Sequence, residues 1–105
     1  MRQHQIELNP DVVTYIERLF YEYETLKDNV SYMVQHFKFD KAFLESDLFR
    51  KYQQNEMNAK MNYERGMQEV YEKYLPEKYK CHRINWSVDF RRRQLIIDQF
   101  CDCEV

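Results

Sequence analysis

The chain has 105 residues and a net charge of −2, and 16% of its residues are aromatic. A charge this close to neutral argues against binding nucleic acid by electrostatics alone, and no apolar run reaches transmembrane length. A single Gly and two Pro argue against a fold with many tight turns and favour long elements. Residues 1–20 lack the apolar core of a signal peptide. We therefore expect one cytoplasmic domain that spans residues 1–105.

The first helix is predicted over residues 10–37, after a short lead-in of residues 1–8. Asn9 is a suitable N-cap, Pro10 suits the first helical position, and Asp11 complements the positive end of the helix dipole. Apolar residues then recur at steps of four and three, which predicts one buried stripe. The stripe consists of Val12, Ile16, Leu19, Tyr23, Leu26, Val30, Met33 and Phe37.

A second helix is predicted over residues 41–74, with Asp40 as its N-cap and a break near Ser46-Asp47. The short connection at residues 38–40 makes the two helices antiparallel neighbours. Small residues on this helix allow a close approach of the first one, and we interpret Gly66 as a packing site. The predicted buried edge consists of Leu48, Tyr52, Ala59, Tyr63, Gly66, Val70 and Tyr74.

The stripe on the first helix is wider than a coiled-coil seam. Val13, Phe20 and Val34 lie beside it, and a wide stripe is typical of a helix that needs cover on more than one side. The extra cover comes either from the C-terminal segment or from a second copy of the chain. A homodimer is therefore one expectation.

After residue 76 the apolar pattern changes to a period of two, which predicts strands. A β-hairpin is expected over residues 82–101, with Arg91, Arg92 and Arg93 in a turn of three to five residues. The alternative is a third helix that Asp89 caps. The predicted fold class is α+β, mainly α: a long antiparallel helical hairpin followed by a C-terminal β-hairpin packed on it.

Four potential zinc ligands lie at the open end of this hairpin: Cys81, His82, Cys101 and Cys103. A hairpin folded about Arg92 places Cys81 opposite Cys103, whereas one folded between Arg91 and Arg92 places His82 opposite Cys101. These residue types suit tetrahedral zinc, but neighbouring strand residues point to opposite faces. Three interpretations remain open: a zinc site, a redox-active cysteine pair, and cysteines with a packing role or none.

The C-terminal segment also contains a basic cluster interleaved with Tyr79, Trp86 and Phe90. Arginine beside exposed aromatic rings is typical of nucleic-acid contacts. The alternative is that Trp86 and Phe90 belong to the core and the arginines only solvate a loop. The cluster consists of Lys78, Lys80, Arg83, Arg91, Arg92 and Arg93.

A second apolar edge on the second helix is formed by Met57, Met61, Tyr71 and Leu75. Tyr and Met are enriched at protein interfaces, so this edge is a candidate partner surface. The alternative is that Met57 and Met61 fill gaps in the core.

No catalytic motif is visible, because the Ser and His residues are scattered and one Gly cannot build a phosphate-binding loop. The sequence thus favours a non-enzymatic, cofactor-free module that binds another protein. Adaptors, assembly factors and stoichiometric inhibitors encoded by phages or mobile elements have this character. A nucleic-acid-binding protein and a zinc-stabilised module are the alternatives. The predicted partner-binding residues are Met57, Met61, Tyr71, Arg91, Arg92 and Arg93.

Overall fold

The structure is a computed structural model that describes residues 2–80 and 83–100. It confirms a mainly helical α+β fold with an antiparallel sheet. In chain order the elements are β1 (Arg2–Glu7), α1 (Pro10–His36), α2 (Lys41–Leu44), α3 (Asp47–Lys73), α4 (Glu77–Lys80), β2 (Ile84–Asp89) and β3 (Gln94–Gln99).

Side-chain caps fix where the helices begin, and they do so at the predicted residues. The Asn9 Oδ1 accepts a hydrogen bond from the Asp11 N–H at 2.8 Å, and the Asp40 Oδ1 accepts one from the Phe43 N–H at 3.0 Å. The Ser46 Oγ accepts one from the Phe49 N–H at 3.2 Å. Each cap satisfies an N–H that has no partner within its helix. The Ser46 cap explains why the second predicted helix divides into α2 and α3.

Residues 2–7 form a strand, so the interpretation of residues 1–8 as a lead-in is wrong. The strand order is β1-β3-β2, and both pairs are antiparallel. The predicted β-hairpin is therefore present, but its second strand is the centre of a three-stranded sheet. Pairing with β1 removes one exposed edge from the hairpin, which stabilises a sheet that two strands alone support only marginally.

The β2–β3 register places Ile84 opposite Gln99 and Asp89 opposite Gln94. This corresponds to a fold between Arg91 and Arg92, the second of the two predicted registers. The turn contains four residues, 90–93, which agrees with the predicted length of three to five residues. Arg93 has a φ of 56°, and the Asp89 Oδ1 accepts a hydrogen bond from the Arg92 N–H at 3.0 Å.

The two faces of the sheet differ in polarity. On β3, the side chains of Leu95, Ile97 and Gln99 are completely buried, and Trp86 of β2 lies opposite Ile97 on the same face. The other face carries mainly polar cross-strand pairs, such as Gln3 with Asp98. The alternation explains the period of two in the sequence.

The chain forms two compact units. One, which we call the sheet unit, comprises the residues up to Glu17 and those from Met67 onward. Its core joins the sheet to the adjoining helix segments, and the Tyr71 ring of α3 lies 6.0 Å from the Trp86 ring. The other buried side chains of this unit are Leu8, Val13, Ile16, Val70, Leu75 and Tyr79.

The second unit, Arg18–Gly66, is the helical hairpin, which we call the helical unit. The Tyr63 ring of α3 lies 5.5 Å from Phe20 and 6.3 Å from Tyr23 of α1, which confirms that the two helices pack side by side. At the reversal of the chain, the Phe43 ring stacks 4.0 Å from that of Phe37. Gly66 is buried, as its interpretation as a packing site requires.

The predicted stripe on α1 is correct, since all eight of its residues are buried or half-buried. Of the flanking residues, Val13 is buried and Phe20 is half-buried, but Val34 is exposed. On the second helix the prediction fails at Leu48 and Tyr74, which are exposed, whereas Phe49 is buried.

Candidate functional site

A groove of about 770 Å³ lies between α1 and α3 within the helical unit. Leu26 and Ala59 are the half-buried residues among those that line it, and they form its floor. Because Ala59 carries only a methyl group, it leaves space that a larger side chain would fill. The remaining lining residues are Arg18, Tyr21, Glu22, Thr25, Asn55, Asn58 and Asn62.

Three asparagines form the α3 wall of the groove. Asn55, Asn58 and Asn62 recur at steps of three and four, which places them on one helix face. Asn is a poor helix former because its side chain competes for backbone hydrogen bonds. Three such residues within two turns weaken α3, so helix stability does not explain their presence.

The asparagine amides differ in how their hydrogen-bonding capacity is used. The Asn58 Oδ1 accepts a hydrogen bond from the Gln54 Nε2 at 3.0 Å. Within residues 2–80 and 83–100, the side-chain amides of Asn55 and Asn62 have no protein hydrogen-bond partner. Both residues are exposed, so their amides can exchange hydrogen bonds to water for hydrogen bonds to a molecule in the groove without losing one within the protein.

The α1 wall is amphipathic. Tyr21 is 56% exposed and supplies a large ring at the rim. The Arg18 Nε and the Glu22 Oε1 lie 3.8 Å apart, so the two charges on this wall largely offset each other. The lining is thus apolar at its floor and nearly neutral at its walls.

Tyr63 lies in the interface between α1 and α3, where its surroundings alter the pKa of its hydroxyl. Burial raises the pKa of its hydroxyl, and the negative charge of Glu24 raises it further. The neutral form is therefore favoured, as expected for a ring packed between two helices.

The predicted methionine surface is exposed. Met57 is 57% exposed and Met61 is 52% exposed, so the alternative that they fill core gaps is wrong. Met57 also lines a small hollow of about 300 Å³ with Gln53, Glu56 and Lys60. At 100° per residue, both methionines lie on the side of α3 opposite Ala59. The helical unit therefore presents two distinct surfaces.

Tyr71 and Leu75 do not extend this surface. Leu75 belongs to the core of the sheet unit, with 3% exposure. Tyr71 is half-buried and contacts Trp86, and the Lys80 Nζ lies 5.0 Å from the centre of its ring. These contacts within the sheet unit explain the presence of Tyr71 without a partner protein.

The basic cluster is divided between the two ends of the hairpin. Arg91, Arg92 and Arg93 lie in the β2–β3 turn, whereas Arg83 precedes β2. Six strand residues separate the two groups by roughly 20 Å.

Several of these basic groups already have contacts. The Lys80 Nζ donates to the Glu77 Oε1 at 2.7 Å, and the Lys78 Nζ lies 5.2 Å from the Tyr79 ring. The Arg92 Nε is 3.9 Å from the Asp89 Oδ2. Trp86 and Phe90 are half-buried, which agrees better with packing than with stacking on bases.

The predicted zinc ligands Cys81, His82, Cys101 and Cys103 lie outside the described residues. Within residues 2–80 and 83–100, no cluster of three potential ligands is suited to a metal ion. In the same ranges, no helix combines the length and the apolar character needed to cross a membrane.

A polar contact inside the sheet unit was missed by sequence reasoning. The buried Gln99 Oε1 lies 3.0 Å from the His4 Nε2, and the His4 ring lies 4.8 Å from that of Tyr79. Gln99 is completely buried, so this contact satisfies a polar group that would otherwise be costly to bury.

The chain was also compared with known proteins. No protein-family model matches it, and neither the curated proteins nor the solved structures contain a significant match.

Proposed function

We propose that this protein acts by binding another protein, and that the groove of the helical unit holds an amphipathic helix of that partner. The observation that carries the proposal is the set of free amides on Asn55 and Asn62 above an apolar floor. A partner helix that buries apolar residues on Leu26 and Ala59 can satisfy both amides at the same time.

The dimensions of the groove support a helical partner. The asparagine wall runs from Asn55 to Asn62, which is about 10 Å along the helix axis. That length matches two turns of a docked helix, whose contacts recur at positions i, i+3, i+4 and i+7. The near-neutral walls favour a partner face with apolar and uncharged polar side chains over a highly charged one.

Exposed apolar residues elsewhere in the helical unit support protein binding as the general role. Single exposed apolar side chains are common on protein surfaces, but Tyr and Met are enriched at interfaces, and Met57 and Met61 lie one turn apart on α3. Besides Tyr21, the exposed large apolar residues of this unit are Tyr32, Val34, Phe39, Leu48, Met57 and Met61. An adaptor, an assembly factor and a stoichiometric inhibitor all require a surface that binds another protein.

The proposal is tested by filling the groove. Replacing Ala59 with Met occupies the floor while keeping a good helix former, so α3 should remain folded. Tagged wild type and A59M are used to capture partners from the native host, and the affinity of each recovered protein is measured by calorimetry. We expect A59M to weaken binding at least tenfold.

The matched control changes the opposite side of the same helix. M57Q/M61Q replaces two exposed residues with polar ones of similar size, and it binds as the wild type does if the groove alone holds the partner helix. Equal binding by A59M and wild type would exclude the groove. Loss of binding only in M57Q/M61Q would place the partner on the methionine surface instead.

A further inference from the structure

The outer edge of β2 has unpaired backbone groups. The Phe100 N–H donates to the Arg83 carbonyl at 2.9 Å, which makes this a hydrogen-bonded pair of the β2–β3 register. In an antiparallel pair such positions alternate. Ile84, Trp86 and Val88 therefore direct their N–H and C=O groups away from β3, and within the described residues no other strand pairs with them.

This edge lacks the features that usually prevent strands from associating. Natural edges carry Lys, Pro or a bulge, whereas β2 has none of these residues and is regularly paired along its length. The opposite edge, β1, has none of these features either. Its outward positions are the polar residues Gln3, Gln5 and Glu7, whereas those of β2 are apolar.

We propose that β2 pairs with β2 of a second copy of this chain, in an antiparallel arrangement whose two-fold axis passes through Trp86. The two sheets would then form one continuous six-stranded sheet. Opposite residues in an antiparallel pair must share the same hydrogen-bonding state, so only registers that place outward positions opposite each other are allowed. The two-fold at Trp86 satisfies this condition and pairs five residues of β2, 84–88; the two-fold at Ser87 pairs equally many, 85–89.

The charges of the strand support this register. It places Arg83 of one copy opposite Asp89 of the other, and the two-fold axis creates that pair twice. The Asp89 carboxylate also contacts Arg92 of its own chain, so Arg83 would be its second basic neighbour. Within the described residues, the Arg83 guanidinium has no ion-pair partner. Moving the register by two residues toward the turn would place Arg83 opposite Arg91, and like charges directly opposite are destabilising.

The uncharged residues are also complementary in this register. On the buried face Ile84 meets Val88, and the half-buried Trp86 meets its symmetry mate, which covers the part of the ring that Tyr71 leaves exposed. On the solvent face Asn85 meets Ser87, both of which are exposed. The pairing adds about six backbone hydrogen bonds, two for each outward pair.

The proposal is tested with two double variants at the exposed positions. N85K/S87K places Lys opposite Lys across the interface, whereas N85K/S87E places Lys opposite Glu. N85K/S87K brings the net charge from −2 to zero, which reduces general repulsion between copies. Loss of association in that variant would therefore reflect local repulsion in the strand pair.

Sedimentation equilibrium measures the dimer dissociation constant of the wild type and both variants, and circular dichroism melts confirm that each is folded. We expect a wild-type dimer that N85K/S87K weakens roughly tenfold or more and N85K/S87E retains within about threefold. Trp86 is the only tryptophan, so its emission should shift to longer wavelength as the dimer dissociates.

Three outcomes would overturn the proposal. They are a wild-type monomer at high micromolar concentration, a dimer that both variants retain, and a dimer that both folded variants lose equally.

Discussion

Single residues with unusual surroundings govern local stability in this chain, and Arg93 is the clearest example. Its φ of 56° lies in the left-handed region, which costs a residue with a Cβ roughly 1–2 kcal/mol. The conformation is retained because the four-residue turn requires it and because the Arg93 carbonyl accepts the Leu8 N–H at 3.0 Å. The unfavourable backbone angle of Arg93 therefore accompanies the hydrogen bond that joins the end of β1 to the hairpin.

Arg93→Gly should raise the free energy of unfolding by about 0.5–1 kcal/mol, since Gly adopts positive φ without a steric penalty. Urea unfolding monitored by Trp86 fluorescence measures the change. Arg91→Gly is the matched control, because Arg91 lies in the same turn and has no positive φ. A gain no larger for Arg93→Gly than for Arg91→Gly would show that the backbone angle is not the cause.

The raised pKa of Tyr63 leads to a pH-dependent stability at the residue scale. In the unfolded chain this hydroxyl ionises near its ordinary value of 10.0, whereas in the folded chain it holds its proton to higher pH. The unfolded state therefore loses the proton first. The stabilisation is complete below pH 10 and is lost as the pH rises through the folded-state pKa.

Tyr63→Phe should reduce the fall in the free energy of unfolding above pH 10, because the ring packing is kept and the hydroxyl is removed. Urea unfolding at a series of pH values from 8 to 11 compares the two proteins. Identical slopes for both would contradict the assigned cause, which is burial beside Glu24.

Among the elements, those with strong terminal signals were predictable from sequence. Asn9, Asp40 and Ser46 each cap a helix at the expected residue, because capping depends only on a side chain and the next few N–H groups. The alternation in β2 was equally local. These signals need no knowledge of the rest of the fold.

The elements that were missed depend on distant partners. β1 has the alternation of His4 and Ile6 with Gln3 and Gln5, but it becomes a strand by pairing with β3, about ninety residues away. The predicted buried edge of the second helix fails at its two ends, Leu48 and Tyr74, which are exposed. The helix period does not specify what packs against the ends of a helix. The groove exists only where two helices meet, although the spacing of three asparagines could have indicated one wall of it.

The helix α3 should become more stable when its groove wall is simplified. N55A/N62A replaces two poor helix formers with the best one, for a gain of about 0.5 kcal/mol at each site. For a chain of this length that corresponds to a rise in melting temperature of roughly 4–8 °C. A thermal melt by circular dichroism measures it, and an unchanged or lower melting temperature would show that these amides stabilise the folded chain.

At the scale of the whole molecule, the two compact units suit different tasks. The sheet unit contains the completely buried residues Leu95, Ile97 and Gln99 and the β2 edge that we propose pairs with a second copy. The helical unit carries the groove and most of the exposed large apolar side chains. A division between an assembling unit and a partner-binding unit is consistent with an adaptor or an inhibitor.

In the proposed function, the asparagine wall serves partner binding at the expense of helix stability. The most direct measurement is the calorimetric affinity of the captured partner for wild type and for N55A/N62A, taken together with their melting temperatures. We predict that the variant is more stable and binds at least tenfold more weakly. A variant that is more stable and binds as tightly as wild type would contradict the account.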